Sequence, residues 1–203
     1  MNPVKIEAYN YDLPEERIPK YPLEKRDQSK LLVYKDGEIS DQAFENIQQF
    51  LPKDCQLVFN DSKVLPVRFY FTTPKGKKIE IFGLESIQEN ENTATWKCFV
   101  GNARAWKEGK LKNILDQKEI EVELLGKEKD YCIVTFSWNE AIESMQDVFD
   151  TFGEIPIPPY LNRKSEDLDT IRYQNVFAHH NGSVAAPTAG LHFTKKIIEE
   201  LKE

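Results

Sequence analysis

What this chain lacks already narrows its class. No run among its 203 residues approaches the roughly 20 consecutive apolar positions of a membrane-spanning helix, so no such span is expected. The opening Met1-Asn2-Pro3-Val4-Lys5-Ile6-Glu7 contains no apolar stretch that could serve as the core of a secretory signal. Cysteine is scarce, and Cys55, Cys98 and Cys132 stand far apart with no C-x-x-C pair. Each lies in an apolar stretch, so this odd set reads as reduced, packed thiols in a reducing compartment. Glycine (9) and proline (11) are close to average usage and no tract repeats, which argues against fibrous and disordered architectures. A soluble, cytoplasmic protein is expected.

Several signature loops are missing as well. No G-x-G-x-x-G follows a strand, and neither G-x-x-x-x-G-K-[ST] nor G-x-S-x-G occurs. Dinucleotide-binding, P-loop and serine-hydrolase readings therefore find no support. Histidine appears three times, never as H-x-x-x-H, and the adjacent His179 and His180 would point to opposite sides of an extended chain. No metal site is expected.

What is present fits a folded enzyme or binding module. The chain is 40% apolar, 30% charged and 11% aromatic, a size for one large or two small domains. Its net charge of −7 argues mildly against a general nucleic-acid coat, but the charges are segregated. Over 97–112, Lys97, Arg104, Lys107, Lys110 and Lys112 face Glu108 alone; over 61–78, Lys63, Arg68, Lys75, Lys77 and Lys78 face only Asp61. The acidic excess gathers at 139–170. Basic residues interleaved with Trp96, Phe99 and Trp106 suit RNA contact, although an ordinary strand face with snorkelling lysines would look the same.

The periodicity divides the chain. Ser29 to Tyr34 reads as a strand, Asp36-Gly37 as a hairpin turn, and Ala43, Phe44, Ile47, Phe50 and Leu51 recur at helical spacing before Pro52. Gln56-Leu57-Val58-Phe59 reads as a second, buried strand. From about 66 to 137 the period is two, with strand-like runs at Lys78–Leu84, Thr93–Val100, Ile120–Leu124 and Tyr131–Trp138, which predicts a small antiparallel barrel or sandwich. A helix carrying Ile142, Met145, Val148 and Phe149, capped by Asn139, is predicted next. Prolines in Gly153-Glu154-Ile155-Pro156-Ile157-Pro158-Pro159-Tyr160 exclude helix, and a last helix is predicted over Lys195–Lys202 with Thr194 as cap.

Two polar segments look over-specified for loops. Phe59-Asn60-Asp61-Ser62-Lys63-Val64-Leu65-Pro66-Val67-Arg68 carries polar groups past a strand's carboxyl end, a frequent ligand position, though on residue types alone a plain Asx-turn at Asp61 is the favoured reading. Gly182 through Thr194 is rich in small residues that let backbone approach a ligand. A tight loop with His192 as a packing histidine is the plainer reading.

At these residues the chain resembles the S-adenosylmethionine:tRNA ribosyltransferase-isomerase family of queuosine biosynthesis. The resemblance runs through Tyr11-Asp12-Leu13-Pro14, Tyr21-Pro22-Leu23-Glu24-Lys25-Arg26-Asp27, Val58 to Arg68, Gly153 to Tyr160, Arg172-Tyr173-Gln174 and Ser183 to Thr194. It implies a mixed α+β fold, an α/β domain (1–59 plus 152–203) interrupted by an inserted antiparallel β-barrel domain (60–151). It also implies transfer and isomerisation of the ribosyl moiety of S-adenosylmethionine, as co-substrate, onto 7-aminomethyl-7-deazaguanine at the tRNA wobble position. Epoxyqueuosine forms, adenine and methionine leave, and no metal is expected. Mapped onto this sequence, the resemblance makes His192 and Asp61 the candidate acid and base. Asn60, Arg68, Arg172, Tyr173, Gln174, Pro187, Thr188, Ala189, Gly190 and Phe193 become candidate substrate contacts, and Arg104, Lys107, Lys110 and Lys112 candidate RNA contacts. A monomer is expected. Members of the family continue past the Gly-Leu-His-Phe motif, so strands completing the α/β sheet are expected to be missing. The alternative is a truncated, non-catalytic module binding tRNA or S-adenosylmethionine.

Overall fold

The computed structural model describes residues 5–107 and 109–202. Residues 1–4, which open the sequence, Glu108, which enters the charge balance of 97–112, and Glu203 lie outside the described residues. The fold is mixed α+β, with few helices and a nearly closed, six-stranded, barrel-like antiparallel sheet.

A hairpin begins the regular structure. β1 (Lys30–Lys35) pairs with β2 (Glu38–Ala43), and the turn places Asp36 at φ 55° and Gly37 at φ 89°. Two positive φ angles give the turn type whose twist matches a hairpin, so an Asp-Gly pair suits it. The predicted helix after β2 is a 3₁₀ segment, Phe44–Phe50. Gln56–Phe59 is not a strand: it runs without ladder partners, and Val58 is 85% exposed. The apolar run suggested burial, yet among the described residues no neighbouring strand pairs with it. Cys55, expected in a packed site, is likewise exposed; Cys98 is buried, and burial pushes its thiol up to about 12.

The barrel follows. β3 (Ser62–Val64) leads into β4 (Arg68–Thr72), β5 (Lys78–Glu89), β6 (Thr93–Gly101), β7 (Leu111–Leu115), β8 (Lys118–Lys127) and β9 (Cys132–Trp138). Strands β4 to β9 lie in the order β4-β5-β6-β9-β8-β7, and the edges come within reach where Asn113 Nδ2 donates to the Tyr70 carbonyl at 3.5 Å. Period-two burial puts Phe69, Phe71, Ile79, Ile81, Trp96, Ile120, Val122, Val134 and Phe136 inside. Trp106 plugs the β6–β7 loop, 1% exposed, donating from its indole to the Gly109 carbonyl.

Helix α1 (Met145–Phe152) packs Met145, Val148 and Phe149 into the same core. It starts later than the sequence suggested, capped by Ser144, whose hydroxyl accepts from the Asp147 amide. Asn139 instead pins the β7–β8 turn through the Gln117 carbonyl and the Glu119 amide. At the barrel's exit a Cβ on Gly153 would sit 1.8 Å from the Pro66 carbonyl oxygen, so only glycine fits there. Beside it Glu154 and Arg68 exchange both backbone hydrogen bonds.

After a short helix α2 (Asp169–Arg172), β10 (His180–Ser183) pairs parallel with β3, bringing chain from before and after the barrel side by side. Helix α3 (Lys195–Glu200) closes the fold, its cap Thr194 accepting from the Ile197 amide as predicted. Packing is segregated. The barrel core holds buried residues from Leu65 to Phe149; a second cluster joins Val64 to Ile155, Ile157 and Leu161; a third joins Phe44 to Phe193 and Ile197.

Candidate functional site

The second and third clusters flank a pocket of about 320 Å³. One wall comes from the strap at residues 18–29, the opposite side from Pro158–Leu161, Arg172 and Tyr173, and the floor from Thr188, Leu191 and His192. Beyond its own local turns, the strap makes only one backbone hydrogen bond to the rest of the molecule among the described residues, the Ser29 carbonyl accepting from the Phe44 amide. Side chains hold it instead: Arg163 Nε donates to the Lys20 carbonyl at 2.8 Å, Arg172 donates to the Leu23 and Glu24 carbonyls, and Arg26 reaches back to the Gln174 carbonyl at 2.9 Å and the Ile171 carbonyl at 3.5 Å. Arg163 is itself fixed by a bidentate pair with the buried Asp169, at 2.7 and 2.8 Å, which holds that carboxyl below its usual range. The same guanidinium lies 4.7 Å from the Tyr21 ring centre, and the Tyr21 hydroxyl donates to Glu166.

His192 is held at Nδ1, 3.2 Å from the Arg26 carbonyl oxygen. A carbonyl only accepts, so this contact selects the tautomer with hydrogen on Nδ1 and leaves the Nε2 lone pair available for a proton. The Tyr173 hydroxyl is pushed above its usual range chiefly by burial.

Of the residues singled out from the sequence, Arg172, Tyr173, Thr188 and His192 meet in this pocket. The others lie elsewhere. Asp61 is exposed; its carbonyl accepts from the His179 and His180 amides, and its carboxylate is 3.7 Å from His180 Nε2. The Asn60 carbonyl accepts from Asn175 Nδ2. The Gln174 amide is spent on both backbone groups of Val64, acting as a second edge for β3. Arg68 sits on the barrel beside Glu80 (3.1 Å) and the Phe82 ring. Phe193 is 8% exposed and packs edge-on against Phe44 and Phe59. Pro187, Ala189 and Gly190 shape the 3₁₀ turn that delivers His192 without lining the pocket, and a Cβ at Gly190 would meet nothing closer than 3.7 Å.

The candidate RNA contacts divide likewise. Lys110 pairs with Glu121, and Lys112 pairs with Glu119 and Glu121, which lifts the Lys112 ammonium above its usual range. Arg104 and Lys107 are exposed on the loop that Trp106 anchors, with no ion pair among the described residues. Sequence reasoning missed Lys20, Arg26 and Tyr160 as pocket residues, although all three lie in or beside the quoted motifs. Among the described residues no group of three or more His, Cys, Asp or Glu could hold a metal, and no helix is long and apolar enough to cross a membrane.

The model of the queuosine biosynthesis protein family matches residues 6–203. The chain belongs to that family. Similar to this family member are the S-adenosylmethionine:tRNA ribosyltransferase-isomerases of Halothermothrix orenii (41% identical over 208 residues), Trichlorobacter lovleyi (38% over 201) and Aquifex aeolicus (36% over 202). Each alignment covers 98% of this chain. The chain spans 56–58% of the length of these relatives.

Proposed function

We propose that this queuosine-family chain acts in the transfer and isomerisation of the ribosyl group of S-adenosylmethionine onto a 7-aminomethyl-7-deazaguanine of tRNA, giving epoxyqueuosine and releasing adenine and methionine. The observation that carries the reading is the convergence of Tyr21, Arg172, Tyr173, Thr188 and His192, from segments far apart in sequence, on one pocket. Membership of the family supports it.

The chemistry asks for a base near the sulfonium-activated C5′ position and an acid for departing adenine. His192, with Nδ1 engaged by a carbonyl and no Nε2 partner among the described residues, is the first candidate for either proton transfer. Asp61, exposed and beside His180, is the second. Arg104 and Lys107 are the cations by which the barrel would meet RNA. The domain reading behind this is an α/β unit, 1–59 plus 152–203, interrupted by a barrel unit, 60–151. The segregated cores support two units in outline, while the β3–β10 ladder and the packing of Val64 group residues 62–64 with the segment after the barrel.

The test is to incubate the chain with S-adenosylmethionine and an anticodon stem-loop carrying the deazaguanine, and to measure adenine. Adenine release that His192→Ala lowers by about 10²–10⁴-fold, with the fold intact, is the expected result. A decrease of less than about tenfold removes His192 as the essential acid or base. Binding of both substrates without adenine release assigns the chain a binding role instead.

A further inference from the structure

The pocket's charge is one-sided. Lys20, Arg26, Arg172 and His192 line it, and among the described residues no Asp or Glu does. Arg26 is half-buried, and desolvation followed by the neighbouring Arg172 charge lowers its guanidinium below the usual value. Among the described residues both guanidiniums bond to neutral backbone carbonyls and neither has an ion pair. Of the nearby acids, Asp169 holds Arg163 and Glu166 accepts from the Tyr21 hydroxyl at the rim, while Asp27 lines a separate cavity with Lys196. Two close, partly desolvated cations without a counter-charge are unfavourable by themselves. The barrel lysines contrast with them, since Lys97, Lys110 and Lys112 each have a carboxylate partner.

We infer that this pocket receives one nucleotide of an RNA strand, with its phosphate on Arg26 and Arg172 and its base against Tyr21 or Tyr160 at the rim. This rests on the reading that tRNA is a substrate, and it states where the strand is gripped. A phosphodiester carries negative charge alone and matches the planar guanidinium fork. S-Adenosylmethionine also offers a carboxylate, but its sulfonium and ammonium leave it a net cation, and no Asp or Glu among the described residues lines the pocket to receive them. Tyr21 and Tyr160 are 55% and 61% exposed, as a stacking platform for an unpaired base requires. The volume, about 320 Å³, is that of a small-ligand cavity and suits one extruded nucleotide rather than a duplex.

The experiment compares binding of guanosine 5′-monophosphate, guanosine, S-adenosylmethionine and the anticodon stem-loop by calorimetry. It uses the full chain, Arg26→Gln, and the barrel double variant Lys110→Gln/Lys112→Gln. In the unaltered chain the monophosphate is expected to bind at least tenfold tighter than guanosine, with inorganic phosphate competing. Arg26→Gln should erase that preference, weaken the stem-loop at least tenfold, reduce its salt slope by about 0.7, and leave S-adenosylmethionine affinity unchanged. The barrel double variant should leave the slope as it was.

Equal binding of monophosphate and guanosine by the unaltered chain overturns the inference, and needs no variant to fold. So does a stem-loop affinity that survives Arg26→Gln. A selective loss of S-adenosylmethionine binding overturns it too, and assigns the arginines to the methionyl carboxylate. If the unaltered chain binds no stem-loop, the tRNA reading fails, while the monophosphate comparison still decides what the pocket takes.

Discussion

The barrel and the pocket region are built on different principles. In the barrel, adjacent strands share long ladders and a single core runs from Leu65 to Phe149. Around the pocket, two small clusters flank a strap that arginines tie to chain about 145 residues away in sequence, through its carbonyls and theirs. The barrel gains its stability from buried apolar area; the pocket region gains its shape from directed polar bonds. Segments held by few apolar contacts open at lower free-energy cost, so the pocket region is expected to open more readily than the barrel.

Core truncation tests this contrast most severely. Phe136 is fully buried among Phe69 and the other inward side chains, so Phe136→Ala should cost about 3–5 kcal/mol in urea unfolding. Phe193→Ala, in the smaller cluster beside the pocket, should cost less, because most of the side chains packed there are only partly buried. Equal losses would break the distinction between the regions. Gly153→Ala probes the seam. Its Cβ would meet backbone of Pro66, which cannot swing aside as a side chain would, so a loss of about 3 kcal/mol is expected by the same measurement. The barrel's β signal should outlast the pocket's binding capacity in that variant.

Asp169 sharpens the comparison from the pocket side. Its carboxylate is almost fully buried, accepts both arms of Arg163 and also the Glu166 amide. Asp169→Asn should cost about 2 kcal/mol at neutral pH. The sign with pH follows from the depressed carboxyl: the folded state binds this proton less tightly than the unfolded chain. The contribution is therefore complete above the ordinary Asp value of about 4, and fades as pH falls below it toward the depressed folded value. Thermal midpoints of the parent and Asp169→Asn, measured from pH 7 downward, should converge in that acid range. Parallel curves would mean that the pair contributes nothing through ionisation.

The two regions were also unequally legible in the sequence. Alternation at Thr93–Val100 and Ile120–Leu124 wrote the barrel plainly, because a strand buried on one face must repeat every second residue. The pocket region has no such period. Gln56–Phe59 looked like a buried strand on composition, yet whether an apolar run is covered depends on a neighbour that its own residues do not encode. Likewise Gln174 and Phe193 sit in conspicuous motifs but serve β3 and the aromatic core, whereas Arg26 in an equally visible motif lines the pocket. A motif marks where a chain is constrained; only packing separates the side chain that meets the ligand from the one that holds its neighbour.

The smallest effect expected is at Lys112, and it matters because the sequence made this lysine an RNA contact. Its ammonium bridges Glu119 and Glu121 on the outer face of the barrel, with more than half of the side chain exposed. Exposed pairs trade Coulomb attraction against side-chain entropy and screening, and many contribute nothing measurable. Lys112→Gln should therefore leave the unfolding midpoint within experimental scatter, at low and at high salt. It should also leave stem-loop affinity nearly unchanged, since the charge already has two carboxylates to satisfy. Removing Arg104 and Lys107 instead, which have no ion pair among the described residues, should weaken stem-loop binding and flatten its salt dependence by about 0.7–0.9 per lost phosphate contact. If Lys112→Gln flattened the slope as strongly, the glutamates would have to release this lysine when RNA arrives, and the barrel's ion pairs would be a binding surface in waiting rather than fixed surface structure.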